Sequence, residues 1–179
     1  MRFFFTADTH FGHGNIIKYA NRPFKNADDM NAALIRNFNQ RVKPDDLTFF
    51  VGDFCFKSGT NREKSTFWLN KLNGQKVMVR GNHDNNNSTK TIIDCLHLTF
   101  ANQRLNVCHK PEHANYDFPI NVVGHVHQAW KIQKRSLPWL DGTEKSTILI
   151  NVGVDAQKFY PITIDEVMGQ VARFKKGVL

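Results

Sequence analysis

At 179 residues the chain is long enough to bury the core of one domain without disulfides or metal ions to hold it together. No apolar run approaches the ~18 residues a membrane helix needs, and one Arg followed by three Phe is too short for a secretion signal. Three cysteines, odd in number and without C-x-x-C spacing, point away from a disulfide framework or a zinc ribbon. These features predict a single soluble domain, residues 1–179, in the cytoplasm, with no membrane contact. The net charge of +8 admits an anionic partner, but Lys and Arg are scattered, with no block longer than Lys175-Lys176, so charge alone assigns nothing.

Along the chain, Phe3 to Thr6 reads as a strand. Asp28 to Arg41 repeats apolar residues at Met30, Leu34 and Phe38, a helical period, with Asn26 or Ala27 at the cap. Leu47 to Val51 is a short buried strand. Thr60-x-x-Glu63 is a capping box, predicted to open a helix through Phe67, Trp68, Leu69 and Leu72 that Asn73-Gly74 ends. Lys76 to Arg80 is the next strand, and Ser88 to Leu96 a short helix. The second half changes character. Leu98 to Ala101, Arg104 to Cys108, Asn121 to Val123, Trp130 to Gln133 and Thr147 to Asn151 are short segments at hairpin-like spacing. Thr163-x-x-Glu166 is a second capping box, opening a last helix with Val167, Val171 and Phe174 inward. An order of α/β units followed by a β-rich half is satisfied by two packed sheets with helices outside.

The strands share one peculiarity: their apolar runs end in metal-ligating residues. FFFTADTH ends in Asp8 and His10, LTFFVGD in Asp53, and KVMVRGNHD in Asn82, His83 and Asp84. RLNVCH ends in His109, and INVVGHVH in His125 and His127. Gly52, Gly81 and Gly124 precede three of these ends, where a missing side chain permits a sharp exit and close backbone approach. Each residue taken singly reads as a turn residue or a surface histidine. Five coincidences in chain order do not. Carboxylate, carboxamide oxygen and imidazole without thiolate suit Mn²⁺, Fe, Ni²⁺ or Zn²⁺. Seven such ligands are too many for one tetrahedral zinc and match two metals sharing a carboxylate, a recurrent device for phosphate ester hydrolysis.

Asp8-x-His10, Gly52-Asp53, Gly81-Asn82-His83-Asp84, His109 and Gly124-His125-x-His127, in that order, resemble the calcineurin-like metallophosphoesterase superfamily. The start DTHFGHGNI and the tail NVGVDAQKFYP further resemble a group of small bacterial and phage members. The resemblance implies a four-layer α/β/β/α double β-sandwich and hydrolysis of a phosphate ester by metal-activated hydroxide. One metal would be held by Asp8, His10 and His127 and the other by Asn82, His109 and His125, with Asp53 bridging. Mn²⁺ comes first among the candidate ions. His83 would be the catalytic residue, touching the phosphoryl group or protonating the departing oxygen, a duty the ordinary imidazole pKa suits.

With two divalent ions, two carboxylates and one hydroxide, the inner charge is about +1, which complements a phosphodiester monoanion better than a monoester dianion. Arg80 and Lys110, each beside a motif residue, and His13 and Asn15, in the loop after His10, are the candidate substrate contacts. Asp155 is expected to close a turn near the site. The stretch Gly52-Asp53-Phe54-Cys55-Phe56-Lys57 lacks the second Asp and the Arg of the protein phosphatase branch, which disfavours that activity. Two other functions stand beside a phosphodiesterase. One is a nuclease or end-processing enzyme acting on nucleotides or nucleic acid. The other is a non-catalytic binding module on the same scaffold. No obligate protein partner is expected.

Overall fold

Three apolar segments of the first half become parallel strands, because the chain between them returns through helices to the same edge. The computed structural model describes residues 1–56, 64–84, 91–139 and 142–178. Strands β1 (Phe3–Thr6), β2 (Leu47–Val51) and β3 (Gln75–Val79) pair in register Phe5↔Phe49↔Val77. Helices α1 (Ile16–Tyr19) and α2 (Ala27–Arg41) connect the first two, and α3 (Ser65–Leu69) lies between the second and third. A two-residue edge strand absent from the sequence reading, Ile162–Thr163, pairs antiparallel with β1.

Both faces of this sheet are buried, which is why its strands read as continuous apolar runs. Phe4 and Phe50 pack outward against Met30, Leu34, Phe38 and Trp68 of α2 and α3. Phe5, Phe49 and Val51 face the second sheet. Helix α2 is capped by the Asn26 side chain, which accepts from Asp29 N at 2.9 Å, with Asp28 and Asp29 in its first turn and Arg41 in its last. The capping box expected at Thr60 and Glu63 lies outside the described residues. Helix α3 ends at Leu69, short of Leu72. The turn that follows closes at Gly74 (φ +74°), where a Cβ would come within 2.6 Å of the Asp46 carbonyl oxygen.

The second sheet comprises β4 (Cys95–Phe100), β5 (Gln103–Cys108), β6 (Ile120–Val123), β7 (Ile132–Pro138) and β8 (Glu144–Asn151) in the order β4-β5-β6-β8-β7. The edge strand Ile162–Thr163 of the first sheet is therefore β9. Three expectations are corrected here. Ser88 to Lys90 lie outside the described residues, but residues 91–94 are not helical and Cys95 and Leu96 open β4. Its alternating burial and its register against β5 (Leu98↔Leu105) outweigh local helix propensity. The strand expected over Trp130–Gln133 starts at Ile132 and runs on to Pro138, because Trp130 lies in the loop before it, its carbonyl accepting from Asn151 Nδ2 at 2.9 Å. Among the described residues only β4–β5 and β7–β8 pair antiparallel in this sheet, whereas β5, β6 and β8 are parallel.

Between the sheets, Leu105, Val107, Ile120, Val122, Ile148 and Ile150 meet the first sheet's inner face. Val167 and Val171 of α4 (Ile164–Lys175) join the same cluster. The predicted capping box opens α4: Thr163 Oγ1 accepts from Glu166 N at 3.2 Å, and Glu166 Oε2 from Thr163 N at 2.7 Å. On the far face of the second sheet the alternate positions Asn106, Asn121 and Thr147 form a buried polar ladder. Asn106 donates to Asn121 Oδ1 (2.7 Å), Asn121 to Thr147 Oγ1 (2.8 Å) and Thr147 to the Phe118 carbonyl (2.7 Å), so every rung is satisfied. The architecture is the mixed α/β double sandwich expected from the sequence. No helix among the described residues is long and apolar enough to cross a membrane.

Candidate metal centre

The parallel strands of each sheet end on one rim, and the two rims are stitched together. Past β1 and β8, Ala7 and Gly153 form a parallel bridge, with Ala7 N donating to Val152 O (3.1 Å) and Val154 N to Ala7 O (3.0 Å). Asp8 N continues to Gly52 O at 3.1 Å. Ends from both sheets are therefore fixed against each other by backbone hydrogen bonds.

Two groups of donors face one another across this seam. Asp8, His10 and His127 form one triad and Asp53, His109 and His125 the other, the ligand atoms within each lying within 4.8 Å of one another. Asp53 Oδ2 stands between them, 3.6 Å from His10 Nε2 and 3.3 Å from His109 Nε2. Asn82 joins the second triad, its Oδ1 3.1 Å from His109 Nε2. His83 is half exposed, with Nε2 4.0 Å from Asp53 Oδ2, and its main-chain N donates to Asp53 Oδ1 at 2.9 Å.

Holding these side chains inward costs backbone strain. Asp8, His10, Asp53, His125 and His127 all have left-handed φ, between 48° and 72°, a conformation that costs a non-glycine residue on the order of 1–3 kcal/mol. The glycines supply room. A Cβ on Gly52 would lie 2.3 Å from His109 Nδ1, one on Gly81 2.2 Å from Asp53 Oδ1, and one on Gly124 2.7 Å from Asp8 Oδ2.

The electrostatics fit cations. Burial raises the Asp8 carboxyl to about 6, partly offset by His109 and His127. Burial also pushes Asp53 upward, but its hydrogen bond to His109 and the charges of His109 and His10 outweigh that and hold it below the usual carboxylate range. His109 is the counterpart: burial lowers its ring, yet Asp53 and Asp8 raise it to about 9. Burial lowers His10 and, together with His109, His125. His10 Nε2 is buried with no hydrogen-bond partner, which leaves a lone pair free for a cation. His109 Nδ1 meets the Val51 carbonyl at 2.8 Å and so donates, leaving Nε2 for the centre. The donor set and its orphaned nitrogen fit divalent metal ions.

Arg22 escaped the sequence reading, and so did the roles of two residues that it named, Asp84 and Asp155. Arg22, its side chain fully buried, donates to both Asp155 oxygens (2.8 and 2.9 Å), to Asp8 O (2.6 Å) and to Thr9 O (3.2 Å). Asp155 does more than close a turn: its Oδ2 accepts from His127 Nδ1 at 2.8 Å, which turns Nε2 toward the first triad. Burial lowers His127, but Asp155 outweighs it and raises the ring. Asp84 accepts from Asp53 N (2.9 Å), Phe54 N (3.1 Å) and Gly81 N (2.8 Å), tying two strand ends together. Asp155 carried a signal, since Asn151-x-Gly153-x-Asp155 is one more strand ending in glycine and a polar residue. Arg22 carried none.

The proposed substrate contacts divide between two sides. Arg80 and Lys110 line a cleft of about 250 Å³ that reaches Asn82 and His109, with Asp94 and His113 opposite. Arg80 is engaged by Asp94 at 2.8 Å, while Lys110 has no ion pair among the described residues. His13 lies on the other side, stacked on Phe56 (centroids 4.2 Å) and 5.6 Å from the His10 ring. Asn15 is exposed at the start of α1.

The sequence model of the calcineurin-like phosphoesterases matches residues 1–154, and the chain belongs to that family. An uncharacterized protein of Methanocaldococcus jannaschii is 33% identical over 177 residues, 97% of this chain and 93% of that one. The gene 66 protein of Mycobacterium phage L5 is 30% identical over 83 residues, 45% of this chain and 38% of that one. Among solved structures, a protein of unknown function from Aquifex aeolicus superposes with a TM-score of 0.69 at 23% identity, covering 94% of this chain and 98% of that chain, and shares the fold.

Proposed function

We propose that the chain hydrolyses phosphodiesters with two divalent metal ions, Mn²⁺ foremost. Asp8, His10 and His127 hold one ion, Asn82, His109 and His125 the other, and Asp53 is shared. The observation that carries this reading is the position of Asp53 Oδ2, which faces His10 Nε2 at 3.6 Å and His109 Nε2 at 3.3 Å, one nitrogen from each triad. Bound at such a site, a metal pair neutralises phosphoryl oxygens and lowers the pKa of water.

The chain's own residues supply the rest. His83 is tethered through its main-chain N to Asp53 yet keeps its ring half exposed, so the imidazole meets a substrate arriving from solvent. It donates a proton to the departing ester oxygen. Asp155 and Arg22 keep His127 in the tautomer whose Nε2 faces inward. The preference for a diester rests on charge. Arg80 is neutralised by Asp94 and adds nothing to the inner charge of about +1, while Lys110, partly exposed in the adjoining cleft, is screened by solvent.

Hydrolysis of a chromogenic diester and monoester, compared after chelation and Mn²⁺ readdition, tests the proposal. Metal-restored turnover that favours the diester and vanishes in His83→Ala is expected. Turnover that survives chelation, or that His83→Ala leaves intact, overturns it.

A further inference from the structure

Two of the three cysteines, Cys95 and Cys108, stand directly opposite each other in the antiparallel pair of β4 and β5. Opposed residues of such a pair have Cα atoms about 4.5–5.5 Å apart, inside the ~4.4–6.8 Å that a disulfide spans. Both side chains lie on one face. Leu96 and Leu98 of β4, and Leu105 and Val107 of β5, turn to the core between the sheets, so the alternate residues point the other way. On that outer face Asn106 Nδ2 meets the Cys108 sulfur at 3.5 Å. All three cysteines are free thiols. Cys55 is buried with Phe11 and Trp68 on the helix-covered side of the first sheet, away from this pair.

The two thiols differ in access. Cys95 is exposed on the edge strand β4, whereas Cys108 is wholly buried beside Val123 and Leu149. Burial pushes the Cys108 thiol up to about 12, with Cys95 adding to it, so Cys95 is the thiol that meets an oxidant first. Each adjoins the second triad by one residue. Cys108 precedes His109, and Cys95 follows Asp94, which holds Arg80 beside Gly81-Asn82. We propose that Cys95 and Cys108 form a reversible disulfide that weakens the second metal site, a role that rests on the metal-centre reading above.

The oxidant is a low-molecular-weight disulfide, with oxidised glutathione as the probe. The Cys95 thiolate attacks one of its sulfurs and expels a glutathione thiolate. Cys108 then gives up its proton, attacks the Cys95 sulfur and expels the second glutathione, which closes the protein S–S bond. The protein loses two electrons, glutathione gains them, and the two thiol protons pass through water to the two glutathione thiolates. The Cys108 sulfur must turn toward Cys95 from the Lys110 carbonyl, 3.5 Å away. That contact brackets His109, so oxidation removes a brace from a ligand whose distance to a metal is fixed within about 0.2 Å.

Incubation of the chelated full-length protein with oxidised glutathione, then alkylation and peptide mass analysis, tests the bond before any metal is added. A peptide pair joined through Cys95 and Cys108, reopened by dithiothreitol and absent in Cys95→Ser, is expected. Competitive metal titration of the oxidised protein should then find one site weakened roughly tenfold or more. It should be the site that His125→Ala removes, and Cys95→Ser treated alike should show no change. Glutathione retained on Cys95 with Cys108 still alkylated, or a bond between two molecules through Cys95, overturns the pairing. A disulfide that leaves both metal affinities unchanged overturns its coupling to the second triad while the phosphoesterase proposal stands. Absence of metal binding in either form overturns that proposal and this role with it, and the cross-link is still read by mass.

Discussion

The two triads hold similar donors by different means. In the first, a charged pair does the orienting: Arg22, wholly buried, fixes Asp155, which fixes His127, while the same guanidinium pins the Asp8 and Thr9 carbonyls. In the second, backbone does it. The Val51 carbonyl sets the His109 ring, and the Asp84 carboxylate gathers the amides of Gly81, Asp53 and Phe54. The second opens on the cleft of Arg80 and Lys110. A charge-braced triad is sensitive to a residue that never reaches the centre. A backbone-braced triad is sensitive to strand-end geometry.

Asp53→Ala should break the comparison altogether, because its carboxylate faces both triads. Metal analysis after dialysis should find both ions lost, and loss of only one would separate the centres. His83→Ala should leave the metal content intact and lower turnover by about 10²–10⁴-fold, the contribution of a positioned acid. A fall in metal content would make His83 a ligand instead. Arg22→Ala leaves the buried Asp155 carboxylate without its guanidinium partner and should destabilise the fold by about 3–5 kcal/mol in denaturant unfolding. Its metal loss should be confined to the first triad.

Asp155→Asn sharpens the contrast more gently. It should weaken one of the two metal sites by about 10–100-fold and leave the other unchanged, as read by competitive titration. The smallest effect lies outside both centres. Its hydrogen bond with Arg2 holds the Asp46 carboxyl below the usual carboxylate range. A depressed folded-state pKa means that this contribution is present above about pH 4. It is lost as the pH falls through the depressed value. Asp46→Asn should therefore lower the melting temperature slightly at pH 7 and flatten its decline below pH 4. An unchanged acid limb would remove the pair's role.

Much of the fold was legible because local chemistry and burial agree. Asn26 caps α2, Thr163 and Glu166 form their capping box, and β1 and β2 lie where apolar runs predict. Legibility failed where partners decide the outcome. Cys95 and Leu96, read as helix, take the strand state because β5 lies beside them, and Ile162–Thr163 is a strand only because β1 offers an edge. The parallel pairing of β5, β6 and β8 was hidden by hairpin-like spacing.

By itself the sequence determined the family, the two-sheet class and which donors end the strands, because strand ends, glycine exits and ligand chemistry are written residue by residue. The tertiary structure alone decided how those ends are held and what lies beside them. Arg22 reaches Asp155 across 133 positions, and Cys95 stands opposite Cys108 only because β4 pairs with β5. Ion pairs and strand partners depend on distance in space, and local periodicity carries no record of it.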